Sequence, residues 1–248
     1  CSDLWIVFNG EIYNYQELKK GLKKKHTFTT QTDTEVLLHL YEEYGTGMLD
    51  YLDGMFAFAL WDGKRQRFFC ARDHMGIKPF YYHLSDQLFV FGSEIKAILA
   101  HPDISRTIHE PSILSYLTFA CVPAPYTLFS NIFKLGPGEC MVVSAQESRQ
   151  WRYFSPVQKS IDQTEEPHHF IRSTLECAIK KQMVSDVPFG SFLSGGVDSS
   201  AIAVLMSRAR TSPLDVFSVG ISGLERYNEF TYSRMIASRI QATPHEIS

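Results

Sequence analysis

Apolar side chains recur at alternate positions in some stretches of this chain and at helical spacing in others, and the pattern divides it into elements. Residues 4–8 form a short apolar run with strand character that leads into Asn9-Gly10. Residues 15–25 and 33–44 read as helices, the second with leucines at 37, 38 and 40. Four strands are expected next, over 55–61, 67–71, 80–83 and 87–92, with Asp62-Gly63 and Ser85-Asp86 as turns. Residues 94–100 and 111–118 read as helices. The pattern then loosens around Gln146-Glu147-Ser148, Ser155-Pro156 and 162–167, where a linker is expected, with Trp151-Arg152-Tyr153-Phe154 as an anchoring aromatic cluster.

An amphipathic helix over 168–184 opens the second half. Strand 189–194, helix 199–210, strand 214–220, helix 228–241 and a strand beginning at 243 follow. Such alternation predicts right-handed β-α-β units in a parallel sheet, with ligands at the carboxyl ends of its strands. The expected division is a first domain over 1–145, a linker over 146–166 and a second domain over 167–248. There is no internal repeat and no initiator Met. A core-type strand begins at residue 4 and another is entered at 243, so both ends read as cuts through a fold.

Composition narrows the classes. At 44% hydrophobic and 21% charged residues, the 248-residue chain has ordinary globular make-up. A net charge of −3 offers no field for nucleic acid or anionic lipid, so neither is expected as a partner. Lys23-Lys24-Lys25 reads as a solvated helix end. No apolar run approaches the ~18–20 residues that span a bilayer, and no signal peptide is expected. The five cysteines are odd in number and form no C-x-x-C pair, which points to a reduced, cytoplasmic setting. Cys70 and Cys140 lie in strand-like runs and are expected in the core. The histidines show no metal spacing and are given no ligand role.

The most informative segment is Ser194-Gly195-Gly196-Val197-Asp198-Ser199-Ser200, between an expected strand and an expected helix. Unpaired N–H groups and the positive end of the macrodipole make a helix amino terminus a phosphate site. Gly195 and Gly196 let the backbone approach a ligand closely, the serines add hydroxyl donors, and Asp198 is placed to hold Mg²⁺. A helix-capping turn explains one serine and one glycine, but not the whole set. The loop lacks the lysine of the Walker motif. It resembles the pyrophosphate-binding loop of ATP pyrophosphatases, which split ATP between its α and β phosphates.

Four further blocks lie upstream: Asn9-Gly10-Glu11-Ile12-Tyr13-Asn14, Asp33-Thr34-Glu35, Asp53-Gly54-Met55-Phe56-Ala57-Phe58-Ala59, and Ala71-Arg72-Asp73-His74-Met75-Gly76-Ile77-Lys78-Pro79. Their content and order resemble the class II glutamine amidotransferase domain of asparagine synthetases that hydrolyse glutamine. The resemblance implies an α/β protein. Its α+β first domain would be an incomplete N-terminal-nucleophile αββα sandwich. The second would be the start of a parallel-sheet adenine-nucleotide-binding, ATP pyrophosphatase domain. It also implies that Asn9 and Gly10 line an oxyanion hole, and that Glu11 and Asp33 hold the α-amino group of glutamine. In the nucleotide domain it implies that backbone at Leu193 and Val219 cradles adenine. Each residue has a plainer reading. Asn9-Gly10 is a two-residue turn signal, Asp33 could cap a helix with Thr32, Leu193 and Val219 could be strand core, and Arg72-Asp73 reads as a structural ion pair.

Family members use an amino-terminal cysteine as nucleophile, but Cys1 does not fit that role. Eight extended residues put it about 25 Å from Asn9. The nucleophile is therefore expected outside this chain, which by itself should lack glutaminase activity. The implied chemistry has two half-reactions. ATP activates aspartate as an acyl-adenylate with loss of pyrophosphate, and ammonia from glutamine then displaces AMP. ATP and Mg²⁺ are the implied cofactors, glutamine and aspartate the substrates, and a homodimer a possible assembly. A relative that amidates or cyclises another carboxylate shares all these motifs, and a non-catalytic nucleotide-binding fragment is the reading from another class.

Overall fold

Strand alternation is clearest at residues 56–60, and there it sorts side chains by size as well as by face. Phe56, Phe58 and Leu60 are buried on one side of the strand and Ala57 and Ala59 on the other. This follows from the computed structural model of the chain, which describes residues 3–156 and 166–248. The chain divides into two compact units, Cys1–Gln158 and Lys159–Ser248.

The described residues of the first unit form eight strands: β1 (Leu4–Ile12), β2 (Gly54–Asp62), β3 (Arg67–Arg72), β4 (Tyr81–Leu84), β5 (Phe89–Gly92), β6 (Phe133–Lys134), β7 (Glu139–Ser144) and β8 (Ser148–Arg152). Its helices are α1 (Tyr15–Gly21), α2 (Asp33–Tyr44), α3 (Ile95–Ile98) and α4 (Glu110–Phe119). One antiparallel sheet runs β1-β2-β3-β7-β8 and a second runs β5-β4-β6. The large residues of β2 pack with Phe69 of β3 and with Val36, Leu37, Leu40 and Tyr41 of α2. The small ones, Ala57 and Ala59, leave room for Phe80, Tyr82 and Leu135 of the second sheet region. Ile98 of α3 packs beyond that second sheet with Tyr81 and Val90. Helices thus cover one side of the larger sheet, and the smaller sheet covers the other.

Two expectations are corrected, and one of the plainer readings falls away. Asn9-Gly10 does not turn the chain: β1 runs through it to Ile12, with Asn9 opposite Ala57 and Gly10 opposite Phe56. A Cβ on Gly10 would lie 2.1 Å from the Met55 carbonyl oxygen, so the glycine is required by close strand approach. Ser148–Arg152, within the expected linker, is an edge strand paired with β7. Its polar, exposed sequence carries no apolar period. The remainder of that expected linker, 157–165, lies outside the described residues, as does Cys1. Helix α1 also ends at Gly21 rather than 25, where Glu43 instead accepts from the N–H groups of Lys23 and Lys24 at 3.0 and 2.7 Å.

The second unit contains α5 (Pro167–Gln182), β9 (Ser191–Phe192), α6 (Val197–Arg208), β10 (Asp215–Val219), α7 (Phe230–Arg239) and β11 (Thr243–Ile247). The three strands form a parallel sheet in the order β11-β10-β9. Leu193, Ala203, Met206, Val216 and Ala237 form its core. Cys70 and Cys140, both fully buried in the first unit, take the core positions expected of them. Burial raises both thiols, with Cys140 pushed up to about 12.

Candidate functional site

The four upstream blocks meet at one end of the larger sheet of the first unit. β1 and β2 bring Asn9-Gly10-Glu11-Ile12 opposite Gly54-Met55-Phe56-Ala57. Asn14 fastens the connection from the side: its amide donates to the Tyr51 carbonyl at 2.9 Å, and its oxygen accepts from Asp53 N–H at 3.1 Å. Asp33, the first residue of α2, accepts from Ile12 N–H at 3.0 Å. The α2 amino terminus is thereby tied to the end of β1. Thr32, not Asp33, caps this helix by accepting from Glu35 N–H, so the Asp33 carboxylate serves the strand instead.

Asn9 is half-buried, and its Nδ2 donates to Ser93 Oγ at 3.2 Å. An amide nitrogen carries two hydrogens, and this bond uses one of them. Ser93 lies far away in sequence and no motif pointed to it. Glu11 continues β1 beside Gly10, opposite Met55.

The fourth block is a knot of hydrogen bonds, and the expected Arg72–Asp73 ion pair is absent from it. Buried Asp73 accepts from four backbone N–H groups: Met75 and Ile77 on one oxygen, at 3.1 and 2.9 Å, and Phe56 and Lys78 on the other, at 3.2 and 2.9 Å. Arg72 instead donates to the carbonyls of Lys78, Leu135 and Gly76 at 2.6–2.7 Å. Its own carbonyl accepts from Tyr153 Oη at 2.8 Å. Each side chain answers backbone groups that the tight loop leaves unpaired, which is a better use of a buried charge than a pair with little solvent. His74 packs edge-on to Phe154 at 4.5 Å, and burial lowers its pKa despite the nearby charges of Asp73 and Asp53.

Glu35, the third member of the second block, was not assigned a role from sequence. It accepts from the N–H and hydroxyl of both Thr29 and Thr30, at 2.6–2.9 Å. Burial alone would raise its carboxyl, but these four hydrogen bonds together hold it down to about 2.

In the second unit the serine-glycine loop lies between β9 and α6, as its sequence predicts. The first helical hydrogen bond is Ser200 N–H to Gly196 O, at 3.0 Å. The N–H groups of Val197, Asp198 and Ser199 therefore precede the helical ladder. Ser194 and Ser199 hydroxyls bond each other at 2.9 Å, and Gly196 N–H donates to Ser194 Oγ at 3.3 Å, which shapes the turn. Asp198 is exposed on the first turn of α6. Ser200 Oγ is buried with no partner among the described residues.

The two glycines of this loop differ. Gly195 has φ +87°, and a Cβ there would meet Tyr232 Cβ at 2.3 Å. Beside Gly196 a Cβ would meet only Ser194 Oγ, at 3.4 Å. Next to the loop is a pocket of about 200 Å³ lined by Leu193, Ser194, Phe217, Ser218, Val219 and Phe230. Leu193 is buried strand core, with its N–H on the Phe217 carbonyl and its carbonyl on the Ser218 hydroxyl. Val219 is 68% exposed at the carboxyl end of β10, so it is not core.

A glutamine amidotransferase domain family matches residues 1–154, the stretch that contains all four blocks and both sheets of the first unit. The chain belongs to that family. An asparagine synthase family matches residues 171–248 of this amidotransferase-family chain, the stretch with the serine-glycine loop. Among curated proteins, asparagine synthetase [glutamine-hydrolyzing] 3 of Bacillus subtilis is 39% identical over 90% of this chain and 37% of its own length. The putative asparagine synthetase [glutamine-hydrolyzing] 2 of Methanocaldococcus jannaschii is 37% identical over 98% of this chain and 48% of its own length. The chain thus spans between a third and a half of the curated relatives it matches. Among solved structures, glutamine phosphoribosylpyrophosphate amidotransferase from B. subtilis, complexed with ADP and GMP, aligns at 16% identity with a TM-score of 0.45. That alignment covers 98% of this chain and 70% of that one. The amidotransferase match extends through β8 to Phe154, past the Tyr153 hydroxyl that holds Arg72. Among the described residues no helix is long and apolar enough to cross a membrane.

Proposed function

We infer that this chain is part of a cytoplasmic, glutamine-hydrolysing asparagine synthase. ATP activates aspartate as an acyl-adenylate with loss of pyrophosphate, and ammonia released from glutamine displaces AMP to give asparagine. On this reading the first unit is the larger part of an αββα sandwich of the N-terminal-nucleophile type. The second unit begins an ATP pyrophosphatase sheet, and the protein can assemble as a homodimer. Asn9 and Gly10 stabilise the oxyanion of glutamine hydrolysis, and Glu11 and Asp33 hold the glutamine amino group. Leu193 and Val219 border the adenine, and the N–H groups of the serine-glycine loop with Ser194, Ser199 and Ser200 receive the phosphates.

The observation that carries the reading is the loop itself. Gly196 is unhindered at the amino end of α6, and the orphaned Ser200 hydroxyl beside it fits an anion with oxygen acceptors. The exposed carboxylate of Asp198 suits Mg²⁺, which would supply charge neutralisation to the departing pyrophosphate.

The test uses the full-length protein that contains this chain, supplied with Mg·ATP, aspartate and glutamine. Asparagine, AMP and pyrophosphate formed in equal amounts support the assignment. Formation of ADP, or amidation of another carboxylate in preference to aspartate, overturns it.

A further inference from the structure

The functional reading leaves unused a cluster built on α2 and the segment before it. His39 and Glu42 lie three residues apart on that helix, and His26 reaches them from the segment before it. One ligand atom from each of the three lies within 4.8 Å of the others. Glu42 Oε2 is 2.8 Å from His39 Nδ1 and 3.4 Å from His26 Nδ1. The two imidazole rings lie 4.3 Å apart between centroids, tilted by 40°.

The His26 ring is held from behind by a second carboxylate, and the other His39 nitrogen has a carboxylate only beyond hydrogen-bond reach. His26 Nε2 is 2.9 Å from Glu43 Oε1, and His39 Nε2 is 4.0 Å from Glu35 Oε1. Glu43 also accepts from the N–H groups of Lys23 and Lys24. With both oxygens already accepting from backbone N–H groups, Glu43 is the acceptor and His26 Nε2 the donor in their contact. That leaves Nδ1 of His26 facing the Glu42 carboxylate. Two nitrogens facing one carboxylate, with the His26 ring held from behind by a second carboxylate, is an arrangement that orients imidazoles on a metal.

We propose that His26, His39 and Glu42 bind a divalent transition ion of the Zn²⁺ class. Tetrahedral ligands on Zn²⁺ at 2.0–2.1 Å are about 3.3 Å apart. The His26–Glu42 separation already meets that spacing, and the His39–Glu42 pair needs to open by about half an ångström. The rings are buried to 9% and 3% side-chain exposure, while Glu42 at 28% provides the opening to solvent and to a water in the fourth position. The ion would pin the segment at His26 to α2, just ahead of the Thr29–Thr30 turn held by Glu35. It is a structural clamp behind the amide corner and takes no part in the chemistry proposed above. Sequence spacing did not point to it because the two histidines are thirteen positions apart, and only the fold of that segment brings them together.

The experiment is titration of the chelator-stripped, full-length protein with Zn²⁺ alone by calorimetry, repeated with Co²⁺ to read the tetrahedral d–d absorption. One Zn²⁺ should bind at this site, raise the thermal midpoint, and be lost in Glu42→Gln and His26→Gln. Glu43→Gln, which removes only a carboxylate behind a ligand, should weaken binding by about 10–100-fold. Circular dichroism of each variant establishes that it is folded. Replacing the exposed His168 and His169 with alanine should leave binding unchanged. Absence of binding to the wild type overturns the proposal. So does binding that survives in folded His26→Gln and Glu42→Gln, or that disappears with His168 and His169.

Discussion

Gly195 packs against the backbone of Tyr232, so closely that a methyl group on it would sit 2.3 Å from the Tyr232 Cβ and 2.8 Å from Ser233 N. Its neighbour Gly196 has no such restraint. The first glycine is needed to seat α7 against the loop, and the second leaves the loop open. Gly195→Ala should therefore destabilise the protein by more than about 1 kcal/mol, through both the positive φ and the clash. Gly196→Ala should stay within about 0.5 kcal/mol in urea unfolding, yet, on the proposed function, weaken Mg·ATP binding by placing a methyl group in the path of the phosphate. The reverse pattern in the two measurements would remove Gly196 from the nucleotide site.

Asp73 satisfies four backbone N–H groups with two oxygens. An asparagine there keeps one acceptor oxygen and turns an NH₂ toward two donors. Asp73→Asn should cost roughly 2–4 kcal/mol, since buried donors left unpaired cost about 1–3 kcal/mol each. Chemical denaturation reads this directly. A cost below about 0.5 kcal/mol would mean that the loop does not depend on the carboxylate.

Glu35 makes stability depend on pH with a definite sign. Its carboxyl is held down to about 2, against 4.5 for an ordinary glutamate, so the folded protein keeps it ionised where the unfolded chain takes up a proton. Its contribution is complete above about pH 4.5 and fades as pH falls toward 2. Glu43 behaves similarly, so the informative quantity is the difference between wild type and Glu35→Gln. The gap in their unfolding midpoints should narrow as pH is lowered from 5 toward 2. A gap that is constant over that range would show that Glu35 is not held ionised in the folded state.

The legibility of this fold follows from what each residue packs against. The alternation over 55–61 identifies a central strand because both its faces are buried, and the same burial makes Cys70 and Cys140 recognisable as core. β8 presents Ser148, Arg149 and Gln150 to solvent at a sheet edge, so its membership rests on backbone pairing that leaves no apolar trace. Asn9-Gly10 has the composition of a turn, and only the approach of Met55 across the strand pair explains the glycine. Arg72 and Asp73 are adjacent and opposite in charge, yet each answers backbone groups of a loop whose shape no local pattern announces. The blocks themselves were recognisable in order. Ser93 and the His26–His39–Glu42 cluster were not, because their partners are distant in sequence.

The hydrogen bond from Asn9 to Ser93 leads to the sharpest test of the amide corner. If Asn9 Nδ2 stabilises the oxyanion, its effect belongs to the transition state, and Asn9→Ala in the full-length protein should lower kcat for glutamine hydrolysis by about 10²–10³. KM for glutamine should change little. On the proposed function, asparagine formation from free ammonia would bypass this corner and should be preserved. Ser93→Ala keeps the donor but releases its orientation, so it should produce a smaller loss in the same direction. A fall in the ammonia-dependent reaction as large as that in the glutamine-dependent one would assign Asn9 a purely structural role in β1. A raised KM with unchanged kcat would make it a ground-state binding residue instead.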